Sequence, residues 1–178
     1  MRLETERLIL RQWRDEDLDA LAAMSADVEV MWWMGGVLTR EEARAFMDRS
    51  RDSFARLGMG RFAVVQKANG AFVGVTGLMP SHEMLADFLP PFTDMSWVLR
   101  REAWGNGYMT EACRAVIADG FGRLDLPEIT AMTAPINLRS QAVMRRLGMV
   151  AEPALDFDHP LYSGDNSLRR SLVHKVRR

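Results

Sequence analysis

The residues best suited to chemistry form one run, Trp104-Gly105-Asn106-Gly107-Tyr108-Met109-Thr110, between a stretch of strand formers and a stretch of helix formers. The first N–H groups of a helix lack intrahelical acceptors, and the helix dipole adds partial positive charge to them. Gly105 and Gly107 carry no side chains to keep an anion away, so a phosphate can approach the amides from Gly105 to Thr110 without help from basic side chains. The same glycines also suit an ordinary strand-to-helix turn. A dinucleotide fingerprint would need glycine where Thr110 stands and an acidic residue at the end of the next strand, but Glu128 stands at that strand's start.

Other chemistries lack their residues. His82, His159 and His174 are scattered, without the spacing of a zinc site, so no metal is expected. There is no GxSxG elbow and no GxxxxGK[ST] loop. Cys113 is the single cysteine; it cannot form an internal disulfide and reads as inert packing. Chemistry is therefore expected to come from a bound organic cofactor.

The 23 Lys+Arg and 24 Asp+Glu leave a formal net charge of -1, which argues against a dedicated duplex-DNA binder. The cluster Arg169, Arg170, Lys175, Arg177, Arg178 reads as a solvated basic end. No apolar run approaches the roughly 18–20 residues of a membrane helix. The opening MRLETERLILRQW does not read as a signal peptide, so a cytoplasmic location is expected. At 178 residues, 48% hydrophobic and 26% charged, the chain reads as a single domain over 1–178 with a proper core.

The elements that must position the glycine run follow from periodicity and punctuation. A strand is predicted over Arg7–Trp13, then a helix through EDLDALAAM capped by Asp15. Asp27–Leu38 reads as an aromatic, glycine-containing connection. Thr39 and Glu42 form a capping box opening a helix with Ala43, Phe46, Met47, Ser50, Phe54 and Leu57 on one side and Gly58 at its end. The strands RFAVVQK and AFVGVTGLM join through Asn69-Gly70, a hairpin signal. Pro80–Phe92, with three prolines, reads as a long surface loop of the kind that is often functional. A strand over Asp94–Arg100 leads through the glycine run to a helix over Thr110–Leu124, which buries Ala112, Cys113, Val116, Ile117, Phe121 and Leu124. A strand over Glu128–Ala134 follows, then a helix opened by Asn137 and stopped by Gly148, then one or two closing strands. The order is that of a mixed α/β sheet without regular βαβ alternation.

The segment WGNGYMTEA, followed by N-L-R-S and L-G-M, resembles the GNAT N-acetyltransferase superfamily, in particular its ribosomal-protein-alanine acetyltransferase-like branch. The likeness extends to TERLILRQWRDEDLDAL at the start and DFDHPLY and LRRSLVHKV near the end. It implies an α/β (α+β) fold: a mixed, mostly antiparallel sheet with splayed central parallel strands, flanked by helices. It also implies acetyl-CoA as co-substrate and an amine acceptor, either a protein N-terminus or a small molecule. Consistent with the charge balance and the lack of a long apolar run, no direct nucleic-acid binding and no membrane partner are expected, and the chain is expected to be a monomer or homodimer.

Carried onto this sequence, the resemblance makes Gly105, Asn106, Gly107, Tyr108, Met109 and Thr110 the pyrophosphate loop. The pantetheine arm would lie between Asp94–Arg100 and Glu128–Ala134, pairing with backbone at Val98, Leu99 and Arg100. An N–H near Val98 or Leu99 would polarise the thioester carbonyl. Family members often carry Gln or Arg three residues before the first loop glycine, where this chain has Glu102. Asn137 is either a helix cap or a contact to the pantetheine, or both. Many members have a Tyr seven residues beyond this Asn to protonate the leaving thiolate; Met144 stands there, which leaves Ser140 as the candidate. Glu83 and Asp94 are the candidate bases, with His82 behind them. Trp32 and Trp33 are either core or acceptor wall. The reading from another class is a non-catalytic acyl-CoA-binding or regulatory module of the same fold.

Overall fold

The computed structural model describes residues 1–178. Its strands are β1 (Arg2–Glu4), β2 (Leu8–Arg11), β3 (Arg61–Gln66), β4 (Phe72–Pro80), β5 (Thr93–Leu99), β6 (Glu128–Thr133), β7 (Val150–Ala151), β8 (Phe157–Asp158) and β9 (Arg170–Arg177). Its helices are α1 (Leu18–Ser25), α2 (Val28–Met31), α3 (Arg40–Leu57), α4 (Tyr108–Gly122) and α5 (Leu138–Arg146). The sheet order is β1-β2-β3-β4-β5-β6-β9-β7, with β8 against β9, and every pairing except β5·β6 is antiparallel. This is the mixed, mostly antiparallel sheet expected. No helix is long and apolar enough to cross a membrane.

Local chemistry accounts for most boundaries. Thr39 accepts from the Glu42 N–H at 3.2 Å, and the Glu42 carboxylate accepts from the Thr39 N–H at 2.7 Å, so the predicted capping box opens α3. Gly58 ends α3 with φ +68°, and Gly70 turns the β3·β4 hairpin with φ +71°. Successive residues of β3 feed opposite faces of the sheet. Phe62 and Val64 pack with Cys113 and Val116 of α4, while Ala63 and Val65 pack with Leu21 of α1 and Met47 of α3. A sheet buried on both faces explains why these central strands read as continuous apolar runs.

Several expectations are corrected. The first helix begins as a 3-10 turn over Asp15–Asp17, and its cap position is Arg14, not Asp15. Asp17 does the capping instead: it accepts from the Arg14 N–H at 2.8 Å and holds Arg11 through two bonds of 2.6 and 2.8 Å. The 27–38 connection contains α2 and a 3-10 turn over Trp32–Met34. Leu57, the last residue of α3, is exposed and does not join the core face. The 81–92 segment is not purely surface, since Leu85 and Leu89 anchor it against Phe157 and Val173. The short strand β1 has no signal beyond its neighbours' charge pattern.

The site depends on one irregularity. β4 and β5 pair at seven successive positions, from Gly74↔Leu99 to Pro80↔Thr93, and β6 and β9 at six. The parallel neighbours β5 and β6 pair only at Asp94↔Thr130. Beyond that point they diverge, and a gap opens between the sheet's two halves toward the C-terminal ends of both strands.

Candidate active site

The loop after β5 ends in α4, and its amides are free. None of the N–H groups of residues 105–110 donates to a protein acceptor; the Glu111 N–H, bonded to Gly107 O at 3.1 Å, is the first that does. Gly105 and Gly107 have φ of +78° and +75°, in the left-handed region that disfavours a side chain. A Cβ at Gly105 would meet nothing within 4 Å, and one at Gly107 would meet only Arg7 Nη2 at 3.6 Å. Six consecutive N–H groups thus lack a protein acceptor at the positive end of a 15-residue helix, which suits a pyrophosphate.

The loop is braced from behind. Asn106 Nδ2 donates to the carbonyls of Ala103 and Trp104, and Arg7 Nη1 donates to Asn106 O at 3.0 Å. Glu111 collects bonds from Thr5 Oγ1, the Arg7 N–H and Arg7 Nε at 2.5–2.9 Å. Burial acts to raise the Glu111 pKa, but these donors outweigh it and hold the carboxyl below its ordinary value. Tyr108 turns away from the cleft: its hydroxyl accepts from Gln66 Nε2 at 3.0 Å and its ring lies under Arg7.

Strand parity decides which β5 amides face the gap. The Arg100 N–H donates to Val73 O and Ser96 O accepts from Thr76 Oγ1, both at 3.0 Å, so residues 96, 98 and 100 direct their backbone groups at β4. The N–H groups of Trp97 and Leu99 therefore point toward β6. Of the three expected pantetheine contacts, only Leu99 presents its N–H to the gap; Val98 and Arg100 do not, whereas Trp97 does. Leu99 O is already engaged by Trp104 Nε1 at 3.0 Å. The Arg100 side chain lies off the cleft, on Glu102 and Phe72 O.

A continuous cleft of about 1980 Å³ runs along β5 from the glycine loop to the neighbourhood of Asp94. That is more than a single small-molecule pocket usually needs, and it leaves room for two reactants. Gly105, Asn106, Gly107, Met109, Thr110, Asn137 and Ser140 line it toward the Leu99 end of β5, and Phe46, Arg49, Arg61 and Asp94 toward the other; Trp33 and Tyr162 line it as well. Five residue steps of strand, about 17 Å, separate Leu99 from Asp94.

Asn137 caps α5, its Oδ1 accepting from the Ser140 N–H at 3.1 Å, so its cap role is real and its side chain still borders the cleft. Ser140, one turn later, lines the cleft as well. Met144 is fully buried in the core, so the position where many relatives carry Tyr holds no proton donor here. Cys113 is also fully buried, and burial pushes its thiol up to about 12, so it is no nucleophile.

The two candidate bases separate clearly. Glu83 is exposed and does not line the cleft, although its neighbours His82, Met84 and Leu85 do. Asp94 lines it, and burial raises its carboxyl above the usual value, with Arg61 at 3.7 Å pulling the other way. Arg61 also donates to Ser96 Oγ at 2.7 Å and lies over the Phe46 ring. Of the tryptophan pair, Trp33 lines the cleft, whereas Trp32 packs edge-on against it at 4.4 Å and is 44% exposed outside. Trp97, Arg49, Arg61 and Tyr162 were not singled out from sequence. They come to the site through strand parity and long-range packing, which leave no local signal.

Residues 7–150 match the family described as acetyltransferase (GNAT) domain. The chain is 28% identical over 154 residues to the uncharacterized N-acetyltransferase YnaD of Bacillus subtilis, covering 85% of this chain and 84% of that protein. Among solved structures, a GNAT-family acetyltransferase from Bacillus anthracis superposes with a TM-score of 0.81 at 24% identity, over 99% of this chain and 98% of that one. RimL, a ribosomal-protein alpha-N-acetyltransferase solved with coenzyme A, superposes with a TM-score of 0.79 at 16% identity, over 99% and 98%. At these identities the superpositions establish a shared fold.

Proposed function

Because the chain belongs to the GNAT acetyltransferase family and is an acetyl-CoA-dependent N-acetyltransferase, we propose that it holds the donor on the amides of residues 105–110 and acetylates a primary amine by direct attack. The acceptor is a protein N-terminal α-amino group or a small-molecule amine. One observation carries this reading: six free amides at the start of α4 adjoin the only place where the sheet opens. A phosphate-bearing carrier fits the first feature, and an extended arm that pairs like an added strand fits the second.

Acetyl-CoA supplies, when bound, an activated acetyl group whose C–S bond breaks as the new C–N bond forms. The protein's part is placement and proton handling. The Trp97 and Leu99 N–H groups are the donors available to orient the arm and polarise the thioester carbonyl. Asp94, ionised, takes one proton from the incoming ammonium, since a protonated amine has no lone pair to attack with. The second proton lost by nitrogen leaves through solvent, and the departing sulfur takes its proton from Ser140 or water. A thiolate is a good leaving group near neutral pH, so this last transfer contributes less than the base does. The single buried cysteine suits a reducing compartment such as the cytoplasm.

The test is a thiol-release screen with acetyl-CoA against N-terminal peptides, polyamines and aminoglycosides, with the acetylated product identified by mass. Release that depends on one acceptor class supports the reading. Coenzyme A binding with no acetylated product from any amine contradicts it.

A further inference from the structure

The charges at the acceptor end of the cleft are distributed unevenly. Asp94 is the one carboxylate there; the other two that line the cleft, Glu6 and Glu111, lie by the glycine loop with Arg7. Two guanidinium groups line the cleft at the acceptor end: Arg61 against Asp94, and Arg49 near Arg61. Arg61 has Asp94 at 3.7 Å, a loose pairing. Arg49, exposed, has no ion-pair partner and no hydrogen bond within the protein; Arg40, Arg44 and Arg51 on the same helix each pair with an aspartate, and Arg56, also unpaired, lies off the cleft. Arg49 sits one turn beyond Phe46, whose ring lies under Arg61, so both cations border the same stretch of cleft. Burial lowers the Arg61 pKa against the pull of Asp94, and the like charge of nearby Arg49 adds to the lowering.

Resting on the acetyltransferase reading above, we propose that the acceptor is an amine carrying a carboxylate on the same molecule, bound by Arg49 beside Arg61 while Asp94 faces the amine. A planar guanidinium fork matches a carboxylate in a way a lone ammonium does not, and the added anion relieves the repulsion between the two arginines. A polyamine or aminoglycoside meets the opposite situation: its further cations come up against Arg49 and Arg61, with Asp94 the one carboxylate at that end. The shared chemistry has two sources, a free amino acid or a peptide whose N-terminal residue is followed by an acidic side chain.

The experiment measures kcat/KM in matched pairs: a free amino acid against its amide, and a peptide with Glu at its second position against the same peptide with Gln there. Spermidine serves as the polycation. The carboxylate member of at least one pair is expected to be favoured by about tenfold or more, and which pair shows it distinguishes the two sources. Arg49→Ala should bring the ratio close to one by raising KM for the acid, with affinity for coenzyme A unmoved, and Arg49→Lys should restore part of the ratio. Equal use of acid and amide in both pairs overturns the inference, as does an Arg49→Ala protein that keeps the preference, or spermidine as the best acceptor. Acetylation of none of these amines by a protein that binds coenzyme A overturns the acetyltransferase reading itself, a result distinct from loss of selectivity.

Discussion

Replacing Gly107 with glutamate tests the amide cradle and has a calculable effect on folding and on binding. Gly107 has φ +75°, where an L side chain costs roughly 1–2 kcal/mol. The new Cβ meets only Arg7 Nη2 at 3.6 Å, an ordinary contact, so no clash adds to that cost. A carboxylate at a helix N-terminus returns about 0.3–1 kcal/mol. The net folding penalty is therefore about 1 kcal/mol, a fall of about 2–4 °C in Tm for a chain of this size. Binding should suffer more. A carboxylate about 4 Å from a pyrophosphate charge is repelled by about 1 kcal/mol in a water-like surround and about 4 kcal/mol at an effective dielectric of 20. Coenzyme A affinity should fall at least tenfold, or about 1.4 kcal/mol. Gly107→Ala carries the strain without the charge and should lose much less. Calorimetric titration of each variant, with its melting curve as a check on folding, measures both quantities. A folded Gly107→Glu protein with parental affinity would refute the reasoning.

Asp94→Asn keeps shape and removes basicity, so kcat should fall about 10²–10⁴-fold. Because burial raises the Asp94 pKa, the parent rate should climb with pH along a limb above the ordinary carboxylate range, and a pH–rate profile of the variant should lack that limb. Ser140→Ala should lower kcat while calorimetry shows coenzyme A affinity unchanged. Asn137→Ala should cost about 1 kcal/mol in a denaturant melt as a lost cap, and turnover should drop further than the folded fraction does. For Asp17, burial tends to raise the pKa, but Arg11 and the Arg14 N–H outweigh it and the folded value is lowered. Its stabilisation is thus complete above the unfolded carboxylate pKa and fades as pH falls through the folded one. Asp17→Asn should destabilise by about 3–5 kcal/mol at neutral pH and flatten that acid-side slope in stability measured against pH.

What could be read from sequence was what local chemistry determines. The capping box at Thr39 and Glu42, the Asn69-Gly70 hairpin and the cap at Asn137 each rest on contacts within a few residues, and each stands where expected. The glycine run is local too, since φ at 105 and 107 depends on residue type, and its open amides follow from its place at a helix start. Parity along β5 is not local. Whether Val98 or Leu99 faces the gap depends on the register with β4, set by Gly74↔Leu99 across a hairpin and a long loop. Arg49 and Arg61 are ordinary surface-like arginines in sequence and acquire meaning only when α3 and β3 bring them to the cleft that Asp94 lines. Sequence favours Asp94 over Glu83 only slightly, by its place at the start of the strand expected beside the thioester. Burial and Arg61 distinguish them, and both are products of the fold.

The most direct measurement is a 15N–1H correlation spectrum of the protein titrated with coenzyme A and, separately, with pantetheine, which lacks the pyrophosphate. The amides of residues 105–110 should shift strongly with coenzyme A and little with pantetheine, while the Trp97 and Leu99 amides should respond to both. Coenzyme A binding that leaves residues 105–110 unmoved, or moves them no more than pantetheine does, would contradict the assignment of this loop as the site that holds the acetyl donor.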